Sequence, residues 1–335
     1  MDGRKKITRL LIVSITLSAG CTTVATAVET GTIPDMAAAN LTTVATAVET
    51  GTIPGIATAS RTPSPTPTAT LTASPTPLPT LPLPEYPDIT LPGIDRLREI
   101  FLSGQREGMR SGVFAKVGDS ITANNVFLAP FGSGDYSLGE YGYLQEMIDF
   151  YSRENAREGN SFADNSIAAH GSWRAEHVLD PSKAPSPCAA GEVPLTCEYR
   201  LVQPAVAVIL LGTNDVMAPT KGFETSYPRI LAETLDRGII PILNTLPPMR
   251  GQDVEPFNAV IRFAADQWDV PWIDLYSALV RLPGQGLSRD GIHLSWIEPA
   301  VFEPRYLEQG MTVRNLLTLQ ALDAVWRSYS TLATT

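Results

Sequence analysis

The alternation of apolar and polar positions divides this chain in two, with regular patterns only in its later part. Val113–Val117 is a short apolar run ending at Gly118, the pattern of a strand that feeds a turn. Tyr143–Arg153 carries Leu144, Met147, Ile148 and Tyr151 at helical spacing. Asn165–Ala169 reads as a second strand, ending at His170-Gly171. Ala205–Leu211 is continuously apolar, as expected of a strand covered on both faces. Ser226–Arg237 reads as a helix closed by Gly238, and Ile239–Leu243 and Pro271–Leu275 as strands four and five, with a helix over Phe257–Trp268 between them. Val313–Ser330 predicts a closing helix with Leu316, Leu317, Leu322 and Trp326 on its apolar face. Strands alternating with helices imply an α/β domain, a parallel sheet in a three-layer α/β/α sandwich.

Residues 1–94 follow another pattern. They hold almost no aromatic side chains and are crowded with Thr, Ala and Pro, so they cannot bury enough apolar surface to offset chain entropy. Arg4, Lys5, Lys6 and Arg9 precede an apolar stretch from Leu10 to Ala19, too short to span a hydrocarbon core that needs about 20 residues. This is the pattern of an export signal over residues 1–21. The string Leu17-Ser18-Ala19-Gly20-Cys21 is similar to a bacterial lipobox, which makes Cys21 a candidate for lipidation, although Ser18 stands where Leu is usual. Residues 22–34 recur unchanged at 42–54, and 61–84 alternate Pro with Ser, Thr, Ala and Leu. A duplicated spacer followed by a semi-rigid polyproline stalk accounts for residues 22–94, leaving 95–335 as one domain of usual size.

The formal charge is −10, and residues 1–94, with five Lys/Arg and six Asp/Glu, contribute little of it. An acidic domain without a basic stripe argues against nucleic acid as a partner. Contact with a membrane is expected only through the N-terminal lipid anchor. The cysteines Cys188 and Cys197 lie nine positions apart, and in an exported chain they are expected to pair. No Cys/His cluster has metal-ligand spacing, so neither metal nor cofactor is expected.

Three short blocks carry candidate chemistry. Gly118-Asp119-Ser120 follows the first strand, Gly212-Thr213-Asn214-Asp215 follows the third, and Asp290-Gly291-Ile292-His293 lies in a late, turn-rich stretch. Each is common alone: Ser120 could cap a helix, and Asn214 could open one. Together they supply a hydroxyl nucleophile, an amide donor for a developing oxyanion, and an imidazole base with its orienting carboxylate. Asp215 is read as structural. Of the three histidines only His293 has a carboxylate at such spacing, and His177 reads as a surface residue on a helix.

These blocks, in this order, at the ends of strands one and three and in the last loop, resemble the SGNH (GDSL-type) hydrolase superfamily over roughly residues 113–330, in an exported bacterial member. The resemblance implies a flavodoxin-like, five-stranded parallel sheet of order 2-1-3-4-5. It implies Ser120 as nucleophile, Asp290 and His293 as the rest of a triad, and Asn214 as oxyanion donor beside the Ser120 amide. A second backbone donor is implied at Gly171, although Ala169-His170-Gly171-Ser172-Trp173 lacks the extra glycine many members show.

The function expected is a serine esterase, extracellular as a cell-surface lipoprotein or secreted, and monomeric. Its substrate would be an ester, either a small molecule or an acetylated polysaccharide. Short-chain or acetyl esters of carbohydrate suit a stalk-borne enzyme. A lipid or acyl-ester hydrolase, an acyltransferase, and a non-catalytic carbohydrate-binding module on the same scaffold are the alternatives. Two loops should decide: Thr122–Gly142, with Phe127, Phe131 and Tyr136, and Ser295–Gly310, with Trp296, Phe302 and Tyr306. Their aromatics either meet the substrate or cover the core.

Overall fold

A computed structural model describes residues 86–332. The export signal, Cys21, the repeat and nearly all of the stalk lie outside the described residues. In chain order the elements are β1 (Ile89–Thr90), α1 (Ile94–Arg106), β2 (Arg110–Gly118), α2 (Ala129–Ser133), α3 (Gln145–Ser152), α4 (Pro194–Val202), β3 (Pro204–Leu210), α5 (Lys221–Leu235), β4 (Ile240–Asn244), α6 (Glu255–Trp268), β5 (Trp272–Ile273), α7 (Leu275–Val280) and α8 (Gly310–Tyr329), with short 3-10 turns between them.

The sheet order is β1-β5-β4-β3-β2. β3 is buried at every position and sits between β2 and β4, both parallel to it, with Ala207 opposite Ala115 on one side and Pro241 on the other. Its unbroken apolar run is the signature of a strand covered on both faces. On one side α1, α3 and α8 pack together, with α8 meeting β5 and α3 meeting β2. On the other, α5 and α6 pack against each other and against β4. The architecture is therefore α/β/α. Among the described residues no helix is long and apolar enough to cross a membrane.

Four sequence expectations need correction. The sheet is mixed rather than all parallel: β1 pairs antiparallel with β5, Ile89 opposite Ile273. That strand falls in the segment assigned to the stalk, so the folded part begins before residue 95. Its two residues are too few to show a period, and α1, with Leu97, Ile100, Phe101 and Gly104 buried at helical spacing, also went unpredicted.

The second predicted strand, Asn165–Ala169, is reduced to one bridge between Ala169 and Gly118. The reason lies in its donors. The Ile167 N–H bonds Glu198 Oε2 at 2.9 Å and the Ala168 N–H bonds Ser166 Oγ at 3.0 Å, so side chains take what a strand partner would. Glu198 is buried on α4, and that burial pushes its carboxyl up to about 7 despite the Ile167 bond.

The closing helix is covered on nearly all sides rather than along one stripe. Asn315 on α8 illustrates why: its amide donates to the Val126 and Pro299 carbonyls and accepts from Leu128 N–H. The loops after β2 and before α8 thus fold over this helix and hide its polar face.

Candidate active site

β2 delivers Ser120 to the carboxyl rim of the sheet. Its last residue, Gly118, packs so tightly that an added Cβ would stand 2.2 Å from Thr122 Oγ1 and 2.6 Å from the Leu210 carbonyl. Only glycine lets the chain fold back here. Asp119 is fully buried and shapes the turn: Oδ1 accepts from Ile121 N–H at 3.0 Å, and its carbonyl accepts from Thr122 and Ala123. Burial raises its carboxyl, opposed by the Ile121 amide, Thr213 and the Arg314 charge. No helix begins at Ser120, so its hydroxyl has no cap to make.

That hydroxyl instead meets His293, with Oγ and Nε2 2.9 Å apart. His293 Nδ1 lies 2.7 Å from Asp290 Oδ2. A carboxylate only accepts, so Nδ1 carries the proton and Nε2 is left to accept from the serine. Asp290 Oδ1 accepts from Ser288 Oγ (2.7 Å), Ile292 N–H (2.9 Å) and His293 N–H (3.0 Å). Desolvation at the loop pushes this carboxyl up, but the bonds from His293, Ile292 and Ser288 outweigh it and hold it well below the usual range. Gly291 makes the loop possible: its φ is +74°, and a Cβ there would lie 2.7 Å from Arg250 Cβ. Arg250 ties the loop down, its N–H on the Gly291 carbonyl (2.8 Å) and Nη1 on that of Arg289 (3.0 Å).

The oxyanion candidates lie beside this relay. β3 ends in Gly212-Thr213-Asn214, and Asn214 Nδ2 donates to the Trp173 carbonyl at 2.9 Å. A side-chain amide has two N–H groups, so one remains for a ligand. Gly171 stands one residue past His170, whose N–H bonds the Gly118 carbonyl at 3.2 Å. The Ser120 and Gly171 amides donate to no described residue, and both residues are partly exposed. Gly118 pairs with Leu210 and bridges Ala169, so Ser120, Asn214 and Gly171 all follow the same end of the sheet.

Other residues settle into supporting places. Asp215 Oδ2 accepts from Ala175 N–H at 3.0 Å, and burial pushes its carboxyl up to about 6. His177 sits on a 3-10 turn, Ala175–Leu179, rather than a surface helix, and its Nδ1 accepts from Arg174 N–H. Cys188 and Cys197 are joined in a disulfide. Glu192 lies near both, but sulfurs bonded to each other are not available as a metal-ligating thiolate pair.

The loop aromatics divide. Phe127, Phe131 and Phe302 are buried, with Phe131 packed on Tyr136, Phe162 and Phe302, so these rings cover the core. Tyr136 accepts from Gln145, and Tyr306 lies under Arg305. Trp296, three residues past His293, is 49% exposed and open to a ligand.

Sequence reasoning gave no role to three residues that shape the site. His170 donates from Nδ1 to the Gly171 carbonyl (2.8 Å) and stacks on Trp173, flanking one oxyanion candidate. Arg250 and Arg314 brace the two loops of the relay. Only Arg314 left a signal, an arginine on the same helical stripe as Leu317 and Ala321.

Residues 117–296 match the model of the GDSL-like lipase/acylhydrolase family. The search of curated proteins returned no match. Similar solved structures include a lipase/acylhydrolase from Enterococcus faecalis, 20% identical with a TM-score of 0.42, covering 63% of this chain and 94% of that one. A carbohydrate esterase family 3 protein from Talaromyces cellulolyticus is 14% identical, with a TM-score of 0.42 and coverage of 63% and 97%. A variant acetyl xylan esterase from Geobacillus stearothermophilus is 16% identical, with a TM-score of 0.41 and coverage of 64% and 96%.

Proposed function

The chain belongs to the GDSL-like lipase/acylhydrolase family, and on that footing we propose that it is a serine esterase that hydrolyses short-chain esters, chiefly acetyl esters of carbohydrate, outside the cytoplasm. The observation that carries the reading is the unbroken line of contacts from Ser120 through His293 to Asp290.

In the first step Ser120 Oγ attacks the ester carbonyl carbon while its proton passes to His293 Nε2. Asp290 holds the Nδ1 proton and stabilises the imidazolium. The carbonyl oxygen, now negative, takes hydrogen bonds from the free N–H of Asn214 and from the Ser120 and Gly171 amides. The alcohol leaves with the proton from Nε2, giving an acyl-serine. A water then loses its proton to Nε2 and attacks the acyl carbon, and the serine leaves with that proton.

The preference for a short acyl group rests on what surrounds the relay. The phenylalanines of the flanking loops are buried, so they offer no open apolar channel. A large apolar cavity, about 770 Å³, is lined by Pro228, Pro256, Val260, Phe263 and Trp268 of α5 and α6, not by the triad residues. Exposed Trp296 is suited to stacking on a sugar ring. Export rests on the N-terminal pattern, with Cys21 as lipid attachment site, and agrees with the disulfide. The protein acts as a monomer.

A panel of p-nitrophenyl esters from acetate to palmitate, with an acetylated polysaccharide alongside, tests the proposal. Fastest turnover of acetate and release of acetate from the polymer are expected. A preference for palmitate would make it a lipid-ester hydrolase. Polysaccharide binding without any turnover would make it a binding module.

A further inference from the structure

Arg314 is the largest fully buried side chain among the described residues, at 1% exposure, and the mechanism above makes no use of it. It sits near the start of α8, and the hydrogen bonds and ring contact of its side chain go to the segment that follows Ser120. Nη1 donates to the Ile121 carbonyl at 2.7 Å, Nη2 donates to Thr122 Oγ1 at 2.9 Å, and the guanidinium lies 3.6 Å from the centre of the Phe127 ring. Among the described residues it forms no ion pair. Asp119, in the same turn, acts on it only as a nearby charge.

A cation held in the interior without a carboxylate in contact is costly, and a carbonyl, a hydroxyl and an aromatic face offset that only in part. A purely structural role would be served as well by an apolar side chain of that volume. What the guanidinium does supply is direction. Its rigid fork fixes a carbonyl and a hydroxyl at once. Those groups belong to the two residues after Ser120, in a turn where Thr122 already presses on Gly118.

We propose that Arg314 is a positioning residue for the reaction: it pins Ile121 and Thr122 from beneath and so keeps Ser120 Oγ in line with His293 Nε2. This rests on the reading of Ser120 as nucleophile.

The test compares Arg314→Met, Arg314→Lys, Thr122→Val and Thr122→Ser in the full chain. Reactive sites are counted from a fluorophosphonate adduct by mass spectrometry, and kcat and KM for p-nitrophenyl acetate are expressed per counted site. That count removes molecules lost to misfolding. Arg314→Met is expected to lose about 100-fold in kcat with KM little changed, because a displacement near 1 Å costs about that much. Arg314→Lys, with one charged donor group, should recover part of it. Thr122→Val should lose about tenfold by the same effect, and Thr122→Ser, which keeps the hydroxyl, should return to wild-type kcat. If Arg314→Met does not fold, the Thr122 pair decides alone. Wild-type kcat per site in Thr122→Val or in folded Arg314→Met overturns the proposal. A wild-type protein that takes no label sinks the nucleophile reading and this inference with it, whereas labelled wild type with indifferent variants sinks this inference only.

Discussion

Ser120 Oγ and His293 Nε2 stand 2.9 Å apart although they lie 173 positions apart in the chain. Separate pieces of structure set that distance. The tight turn after Gly118 aims the hydroxyl, Arg314 braces that turn from α8, and Arg250 anchors the loop that presents the imidazole. None of these contacts depends on a bound substrate, so the relay is formed in advance.

The carboxylate end of the relay should govern tautomer and not binding. Asp290→Asn is expected to lose about 10⁴ in kcat, since an amide donor opposite Nδ1 favours the wrong tautomer. Steady-state kinetics on p-nitrophenyl acetate check this, with KM staying near its wild-type value. A mild loss would mean that Asp290 only ties the loop together.

The acid limb of kcat/KM should follow a single proton. Hydrogen bonds hold the Asp290 carboxyl well below the usual range, so its own protonation should add nothing to that limb. A log–log plot should therefore have unit slope. A slope of two would show that a second group titrates within the relay.

Asn214→Ala should reduce kcat by about 10²–10³ while leaving KM and melting temperature nearly unchanged, as removal of one oxyanion donor does. Its bond to the Trp173 carbonyl makes a structural role conceivable, and thermal denaturation separates the two. A large fall in melting temperature with normal kcat per folded molecule would assign Asn214 to holding the 173–175 segment.

Buried Glu198 makes stability depend on pH. Burial raises its carboxyl from 4.5 to about 7 in the folded protein. Below about 4.5 it is protonated in both states and has no effect. Between about 4.5 and about 7 the folded state holds more protons than the unfolded one, so stability falls as pH rises and then levels off. Glu198→Gln lacks this group, so its stability relative to wild type should increase from pH 5 to pH 8 in urea denaturation. Parallel profiles for the two proteins would remove Glu198 as the cause.

Cutting the Cys188–Cys197 bond with paired serine substitutions should cost about 3 kcal/mol of stability, the entropy of closing so short a loop. Esterase activity at room temperature should survive, because the loop holds no residue of the relay. Loss of activity in protein that remains folded would tie this loop to the site.

How much of this could be read in the chain follows from what each feature requires. Central strands such as β3 are buried on both faces and declare themselves by composition. The three blocks, two at strand ends and one in the last loop, were legible because turns need glycine beside the reactive residue, and Gly118 and Gly291 both meet that need in space. The segment at 165–169 misled because its apolar residues are real but its donors go to Glu198 and Ser166. β1 is too short to carry a pattern, and its place at the sheet edge follows from pairing with Ile273 and Trp272, far away in the chain. Arg250 stayed hidden, and Arg314 showed only as a charge on an apolar stripe, for another reason: a bracing residue is defined by what it touches, and its partners lie far away in the chain.

Mapping a fluorophosphonate adduct by peptide mass spectrometry tests the central claim most directly. One adduct is expected, on the peptide containing Ser120, absent in Ser120→Ala and formed far more slowly in His293→Ala. No adduct, or one that persists in Ser120→Ala, would contradict the account.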